Sequence, residues 1–72
     1  MKKTNAKLKK IYRLMHSLDE ELLVLESLHR IQFETTASLK DKLYAAKRAR
    51  TALTKARELS NLITETLLEP NE

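Results

Sequence analysis

The chain of 72 residues contains no glycine and no cysteine, and its only proline is Pro70. Turns and β-hairpins usually require glycine or proline, so this composition argues against a β-rich fold. Without cysteine the protein cannot form disulfides or thiolate metal sites, and without glycine it cannot form a phosphate-binding loop. No apolar run approaches the roughly 20 residues of a membrane span, and the basic start Met1-Lys2-Lys3 lacks the apolar segment of a secretory signal. We therefore expect a cytoplasmic protein.

The residues that are present favour helices. One third of the chain is charged, the net charge is +4, and the good helix formers Ala, Leu, Lys, Arg and Glu are abundant. A single domain of this length rarely contributes more than about 3–5 kcal/mol of net stability from its own core. We therefore expect one all-α domain, spanning residues 1–72, that is completed by oligomerisation or by a partner.

Apolar residues recur every three or four positions in the first half of the chain. This spacing predicts an amphipathic helix over about residues 5–33. Its predicted seam comprises Leu8, Ile11, Met15, Leu18, Leu22 and Leu25, continued by His29 and Phe33. A second apolar strip on the same helix comprises Leu14, Val24, Leu28 and Ile31. The two strips together are too wide for one seam, so the second strip predicts a further contact.

Residues 34–38 predict a turn, because they are weak helix formers and because Ser38 followed by Asp41 resembles an N-terminal helix cap. A second helix is expected over about residues 39–68, ending before Pro70. Its predicted inner face is rich in small residues and comprises Leu39, Ala46, Ala49, Leu53, Ala56, Ser60, Ile63 and Leu67.

The charge pattern favours folding the chain back at residues 34–38. Residues 1–13 sum to +6, 14–34 to −4, 35–57 to +6 and 58–72 to −4, so a hairpin sets each basic block against an acidic one. The expected register alternates large with small side chains, which permits dense packing. It pairs Leu8 with Ile63, Met15 with Ala56 and Leu22 with Ala49. The favoured fold is an antiparallel, coiled-coil-like two-helix hairpin; an antiparallel dimer of continuous helices, including a swapped form, stays open.

No grouping of residues in the sequence predicts catalysis. His16 and His29 are thirteen residues apart, roughly 20 Å along one helix, so they cannot share a metal ion. We predict no catalytic, cofactor-binding or metal-binding residues and no enzymatic activity.

Two surfaces are candidates for binding. Apolar residues in excess of one seam predict a partner interface. Its residues are Leu14, Val24, Leu28, Ile31, Leu59, Leu62 and Leu68. A basic set predicts a candidate nucleic-acid face, a signal of low specificity because phosphate neutralisation needs only clustered cations. Its residues are Lys40, Lys47, Arg48 and Lys55.

The second helix carries an Ala-Leu-x-x-Ala-x-x-Leu pattern that continues through two further apolar positions. The residues are Ala52, Leu53, Ala56, Leu59, Ile63 and Leu67. In this pattern and in size the chain resembles the small co-chaperones of type III secretion needle subunits. That resemblance implies pairing with a larger helical-repeat chaperone, so that the needle protein stays monomeric in the cytoplasm.

The expected topology also resembles the small hairpins that dimerise into four-helix bundles and bind paired RNA loops in plasmid copy-number control. From the two resemblances we expect a non-enzymatic interaction module of the co-chaperone kind. The alternative is a homodimeric RNA-binding regulator.

Overall fold

The chain folds into two long antiparallel α-helices joined by a short turn. In the computed structural model, α1 spans Lys2–Phe33 and α2 spans Leu39–Leu68, and they pack together in a hairpin 54 Å long and 14 Å wide. The structure describes residues 2–70, with side chains from residue 6 onward, so positions 1, 71 and 72 of the expected 1–72 domain lie outside the described range. The predicted fold class, an all-α antiparallel hairpin, is confirmed.

Local hydrogen bonds explain how the chain reverses direction without glycine. The backbone N–H of Glu34 donates to the carbonyl of Ile31 at 3.2 Å, and that of Ala37 donates to Glu34 at 3.4 Å. Ser38 has an extended backbone, and its hydroxyl oxygen accepts from the backbone N–H of Asp41 at 3.1 Å, which is the predicted helix cap. No described residue has a positive φ, so the turn needs no glycine.

The open end of the hairpin is fixed by Pro70 and by a lysine from α1. Glu69 is extended, as expected for the residue before a proline, so α2 ends there. The last carbonyls of a helix lack partners within the helix. Lys7 Nζ donates to the carbonyls of Leu67 at 3.2 Å and of Glu69 at 2.6 Å. Lys7 thereby joins the start of α1 to the end of α2.

A stripe of alanines on α2 forms the centre of the contact between the helices. Ala45, Ala49, Ala52 and Ala56 are each no more than 5% exposed. These small side chains let the helices approach closely. We call the packed stripes the seam. On α1 the seam comprises Lys7, Ile11, Leu14, Leu18, Glu21, Leu25, Leu28 and Gln32; on α2 it comprises Lys42, Ala45, Ala49, Ala52, Ala56, Leu59, Ile63 and Thr66.

The observed seam is rotated relative to the predicted one. Leu8, Met15 and Leu22 were expected inside the hairpin, but they are 44%, 46% and 46% exposed. On α2 the alanine stripe replaces the predicted stripe through Ala46 and Leu53, which are both exposed. Both stripes have the same spacing of three and four residues. The hairpin uses the one with four successive alanines, because it permits the closest approach.

Within the described residues, two ion pairs cross between the helices. Lys10 Nζ lies 3.8 Å from Glu69 Oε1, and Lys55 Nζ lies 3.7 Å from Glu21 Oε2. Each pair joins one of the predicted basic blocks to one of the acidic blocks. The expected register implied that Glu21 lies level with Arg50, whereas it pairs with Lys55. The pair is therefore offset by five residues from that register, and part of this offset is the reach of the lysine side chain toward the start of α2.

Candidate interaction surface

The seam follows a heptad repeat, which gives the hairpin two distinct sides. Seam residues occupy positions a and d, with Ile11 at position a of α1 and Ala49 at position a of α2. Positions e and g lie on either side of the seam. In an antiparallel pair, e of one helix lies beside e of the other, and g beside g. The Lys10–Glu69 ion pair, which joins two g positions, agrees with this arrangement.

The side of the hairpin formed by the e positions carries no charged residue, and all of its members are exposed. Leu53 is the least exposed of its leucines at 38%, and Leu39 is the most exposed at 74%. We call this surface the apolar face. It comprises Leu8, Met15, Leu22 and His29 of α1 with Leu39, Ala46, Leu53, Ser60 and Leu67 of α2. A contiguous apolar surface of this kind usually marks an interface.

The opposite side, formed by the g positions, mixes charged and apolar residues. We call it the charged flank. It comprises Lys10, Ser17, Val24 and Ile31 of α1 with Asp41, Arg48, Lys55, Leu62 and Glu69 of α2. From this side Lys55 reaches the carboxylate of Glu21, whose side chain is only 19% exposed. The charged flank is thus joined by contacts within the chain, whereas the apolar face is open.

Comparison with protein-family models, curated proteins and solved structures finds no match to this chain. The resemblance to needle-subunit co-chaperones is therefore supported only at the level of the two-helix hairpin. The function has to be inferred from the surface of the hairpin itself.

The predicted partner residues do not lie together on one surface. Three of them, Leu14, Leu28 and Leu59, are half-buried in the seam. Three others, Val24, Ile31 and Leu62, are exposed on the charged flank. Leu68 is 79% exposed on the outer surface of α2. None of the seven belongs to the apolar face, so that face is a different surface from the predicted partner interface.

The predicted nucleic-acid residues are divided between the outer side of α2 and the charged flank. Lys40 and Lys47 occupy position f, directed away from the seam, while Arg48 and Lys55 belong to the charged flank. Lys55 is paired with Glu21, whereas the other three form no ion pair with any residue in the described range. Three of the four cations are thus available to an anionic ligand.

Each histidine has a neighbour on its own helix. His16 Nε2 lies 3.0 Å from Glu20 Oε1, and His29 Nδ1 lies 3.1 Å from Gln32 Oε1. Within residues 2–70, no group of three or more His, Asp or Glu side chains gathers as a metal site. Neither helix, over the part of the chain that is described, is long and apolar enough to cross a membrane.

Sequence reasoning missed the apolar face because it assigned the same residues to the seam. Leu8, Met15, Leu22 and Leu53 follow a regular heptad spacing, which describes an exposed stripe as well as a buried one. The signal that separates the two cases is the run of four alanines at spacings of four, three and four from Ala45 onward. That run identifies the stripe of α2 that permits the closest contact.

Proposed function

We propose that this protein is a non-enzymatic interaction module that uses the apolar face to bind helices of another polypeptide chain. The observation that carries the proposal is the exposure of this face beside a very small core. The buried apolar side chains of the described residues are those of Ile11 and four alanines. Full burial of a large apolar side chain contributes about 1.5–3 kcal/mol before ordering costs. Association would therefore supply the core that the hairpin lacks.

The shape of the apolar face favours a helical partner. Its large residues are spaced by heptads over about 42 Å of helix, from Leu39 to Leu67 on α2, and the face runs along both antiparallel helices. Helices from a second molecule can pack along such a surface and complete a four-helix bundle. A globular partner would contact only part of it.

In its finer form, the proposal assigns the protein as a co-chaperone that pairs with a larger helical chaperone of type III secretion needle subunits. The small size, the hairpin and the uncovered apolar face support this assignment. Co-purification from the native host tests it. We expect a helical-repeat protein and a needle subunit in the complex, and a complex containing neither would contradict the assignment.

Leu22 and Leu23 provide a matched test of the apolar face. Leu22→Asp places a charge in the middle of the face and should weaken association by more than about tenfold, because the carboxylate would be desolvated in the complex. Leu23→Asp changes the next residue, which is 64% exposed on the outer surface of α1, and should leave association unchanged. Light scattering during gel filtration reports the assembly, and circular dichroism reports the helix content.

Equal assembly of the two variants would contradict the proposal. Leu28→Asp is a poor test, because Leu28 lies in the seam and a charge there would destabilise the hairpin itself. A loss of assembly in that variant would not identify a binding surface.

A second candidate function, an RNA-binding regulator, is favoured by the unpaired cations Lys40, Lys47 and Arg48 on the exposed surface of α2. Binding would depend on phosphate neutralisation and should weaken steeply as salt is raised. The triple substitution of these residues by Glu should abolish a gel shift with structured RNA. A salt-insensitive signal, or no signal from the wild type, would eliminate this candidate.

A further inference from the structure

The two outer edges of the apolar face carry charges of opposite sign. These edges are heptad position b, which lies just beyond position e. The edge on α1 carries Asp19 and Glu26, and the edge on α2 carries Arg50 and Arg57. All four residues are exposed. One side of the apolar face is thus acidic and the other is basic.

The hairpin does not bring these opposite charges together. They lie on opposite edges of a surface 14 Å wide. Among residues of the described range, Asp19, Arg50 and Arg57 form no ion pair, and Glu26 pairs only with Arg30 of its own helix at 3.3 Å. The two edges are therefore available to charges on another molecule.

We propose that the apolar face is covered by a second copy of this chain. The two copies are related by a two-fold axis parallel to the helices, so that α1 of each copy packs against α2 of the other and both turns lie at the same end. This inference rests on the proposed function, because it names the chain that the apolar face binds.

The observed pair between Glu21 and Lys55 gives the relative heights of the two helices to within about one helical turn, because the lysine side chain leans along its helix. Asp19 precedes Glu21 by two residues on α1, and Arg57 follows Lys55 by two residues on α2. Because the helices are antiparallel, both steps lead toward the same end of the hairpin. A two-fold axis parallel to the helices leaves heights unchanged. Asp19 of one copy therefore lies within about one helical turn of Arg57 of the other, which is within reach of the arginine side chain.

The same count matches the rest of the two edges. Five residues forward from Glu21 is Glu26, and five residues back from Lys55 is Arg50, so these two are also level across the dimer to within about one helical turn. Phe33 follows Glu21 by twelve residues and Leu43 precedes Lys55 by twelve, so these two residues also match; both are exposed and apolar. Tyr12 precedes Glu21 by nine residues and Thr64 follows Lys55 by nine. Symmetry repeats every pair, so along each edge acidic meets basic at two levels, apolar meets apolar at a third, and Tyr12 meets Thr64 at the fourth.

The apolar residues between the edges also match in this arrangement. The register that places Glu21 beside Lys55 also determines, to within one residue, which apolar residues are level. Large side chains on α1 of one copy then lie opposite side chains on α2 of the other copy that are alternately large and small. The level pairs are Leu8 with Leu67, Met15 with Ser60, Leu22 with Leu53 and His29 with Ala46. Alternation of this kind allows side chains of two layers to interdigitate.

A two-fold axis perpendicular to the helices is disfavoured by the same charges. It would pack α1 on α1 and α2 on α2, with acidic edges together and basic edges together, and like charges destabilise such contacts.

The area of the apolar face also fits a dimer. The apolar face extends from Leu39 to Leu67 on α2, about 42 Å of helix. At a width of 14 Å it offers roughly 600 Å² per copy, the lower end of the roughly 600–1,000 Å² per partner of stable interfaces.

Charge reversal with mixing tests the arrangement. One variant carries Arg50→Glu and Arg57→Glu, so both of its edges are acidic; the other carries Asp19→Lys and Glu26→Lys, so both edges are basic. Each variant alone should dimerise at least about tenfold more weakly than the wild type. An equimolar mixture should recover a dimer, because every edge then meets its opposite. Sedimentation and native mass spectrometry distinguish this heterodimer from either homodimer.

The control for this experiment is Lys40→Glu combined with Lys47→Glu. It makes the same change of charge on the same helix at the same seven-residue spacing, but on the outer surface. We expect its dimerisation to stay within about twofold of the wild type, because the substituted residues lie outside the interface. A loss equal to that of the edge variants would show that net charge, and not the edges, governs association, and would overturn the inference.

The position of the turns gives an independent measurement. The chain has no cysteine, so Thr36→Cys places one spin label on each copy, in the exposed turn. In the proposed dimer the two labels lie within about 30 Å, because neighbouring helices pack roughly 8–10 Å apart. With the perpendicular axis they would lie near opposite ends of a particle 54 Å long. A separation close to that length overturns the inference.

Failure of this inference can be told from failure of the proposed function. A wild-type chain that stays monomeric up to millimolar concentration excludes the second copy. The proposed function would still stand if Leu22→Asp, but not Leu23→Asp, prevented binding of a different helical protein. If neither substitution affected any assembly, both proposals would be wrong.

Discussion

The two sides of the hairpin flank the same seam but differ in the contacts that their side chains make. On the charged flank, Lys10 pairs with Glu69 at 3.8 Å, and Lys55 reaches across to Glu21 at 3.7 Å. On the apolar face, leucine and methionine side chains are exposed, and opposite charges stand on edges that cannot reach each other. Ion pairs between the helices thus lie along one side, and the other side presents uncharged, exposed side chains.

This difference separates the residues that fold the hairpin from those that assemble it. Exposed ion pairs contribute only about 0–1 kcal/mol each, so the charged flank adds little to the free energy of unfolding. The seam provides most of the folded contact, and its buried apolar members are mainly alanines. Substitutions in the seam should therefore affect folding, and substitutions on the apolar face should affect association.

The largest effect on folding is expected from enlarging an alanine of the seam. Ala52 is 3% exposed at the centre of the contact between α1 and α2. Ala52→Leu would push the helices apart and should lower the free energy of unfolding by about 1–3 kcal/mol. Urea unfolding followed by circular dichroism, at a chain concentration low enough to limit association, measures the change.

Ala46→Leu is the matched control, because Ala46 lies on the same helix but on the apolar face, where it is exposed. Its effect on the unfolding of the isolated hairpin should stay within about 0.5 kcal/mol. If Ala46→Leu destabilised the hairpin as much as Ala52→Leu, the seam would run through the stripe that the heptad spacing first suggested.

The hairpin could be predicted from the sequence because independent signals agreed. The cap residues Ser38 and Asp41 marked the start of α2, and Pro70 marked a limit to its end. The four charge blocks favoured antiparallel helices, and two ion pairs between these blocks are present. Each of these signals is local or depends only on the sign of the charge. None of them requires knowledge of which helix faces pack together.

The rotation of the helices could not be predicted in the same way. Two stripes on each helix share residues such as Ile11 and Ala49 and have identical spacing, so periodicity cannot choose between them. The choice depends on how closely two backbones approach, which is a property of the pair and not of either helix. A surplus of exposed apolar residues was predicted, and the structure has one. Because of the rotation, predicted partner residues such as Leu14 and Leu28 are half-buried in the seam, whereas Val24, Ile31, Leu62 and Leu68 are exposed.

A smaller effect should distinguish the ion pair of the charged flank from its overall charge. Lys55→Met leaves the carboxylate of Glu21, 19% exposed within the seam, without its partner. We expect the free energy of unfolding to fall by about 0.5–1 kcal/mol, and the loss to shrink in roughly 1 M salt, where charges are screened over about 3 Å. Arg48→Met removes a cation one heptad earlier on the same flank that forms no ion pair with the described residues, and should have little effect. Equal losses of unfolding free energy in the two variants would mean that the charged flank acts through its net charge. The ion pair between Lys55 and Glu21 would then not explain the stability of the hairpin.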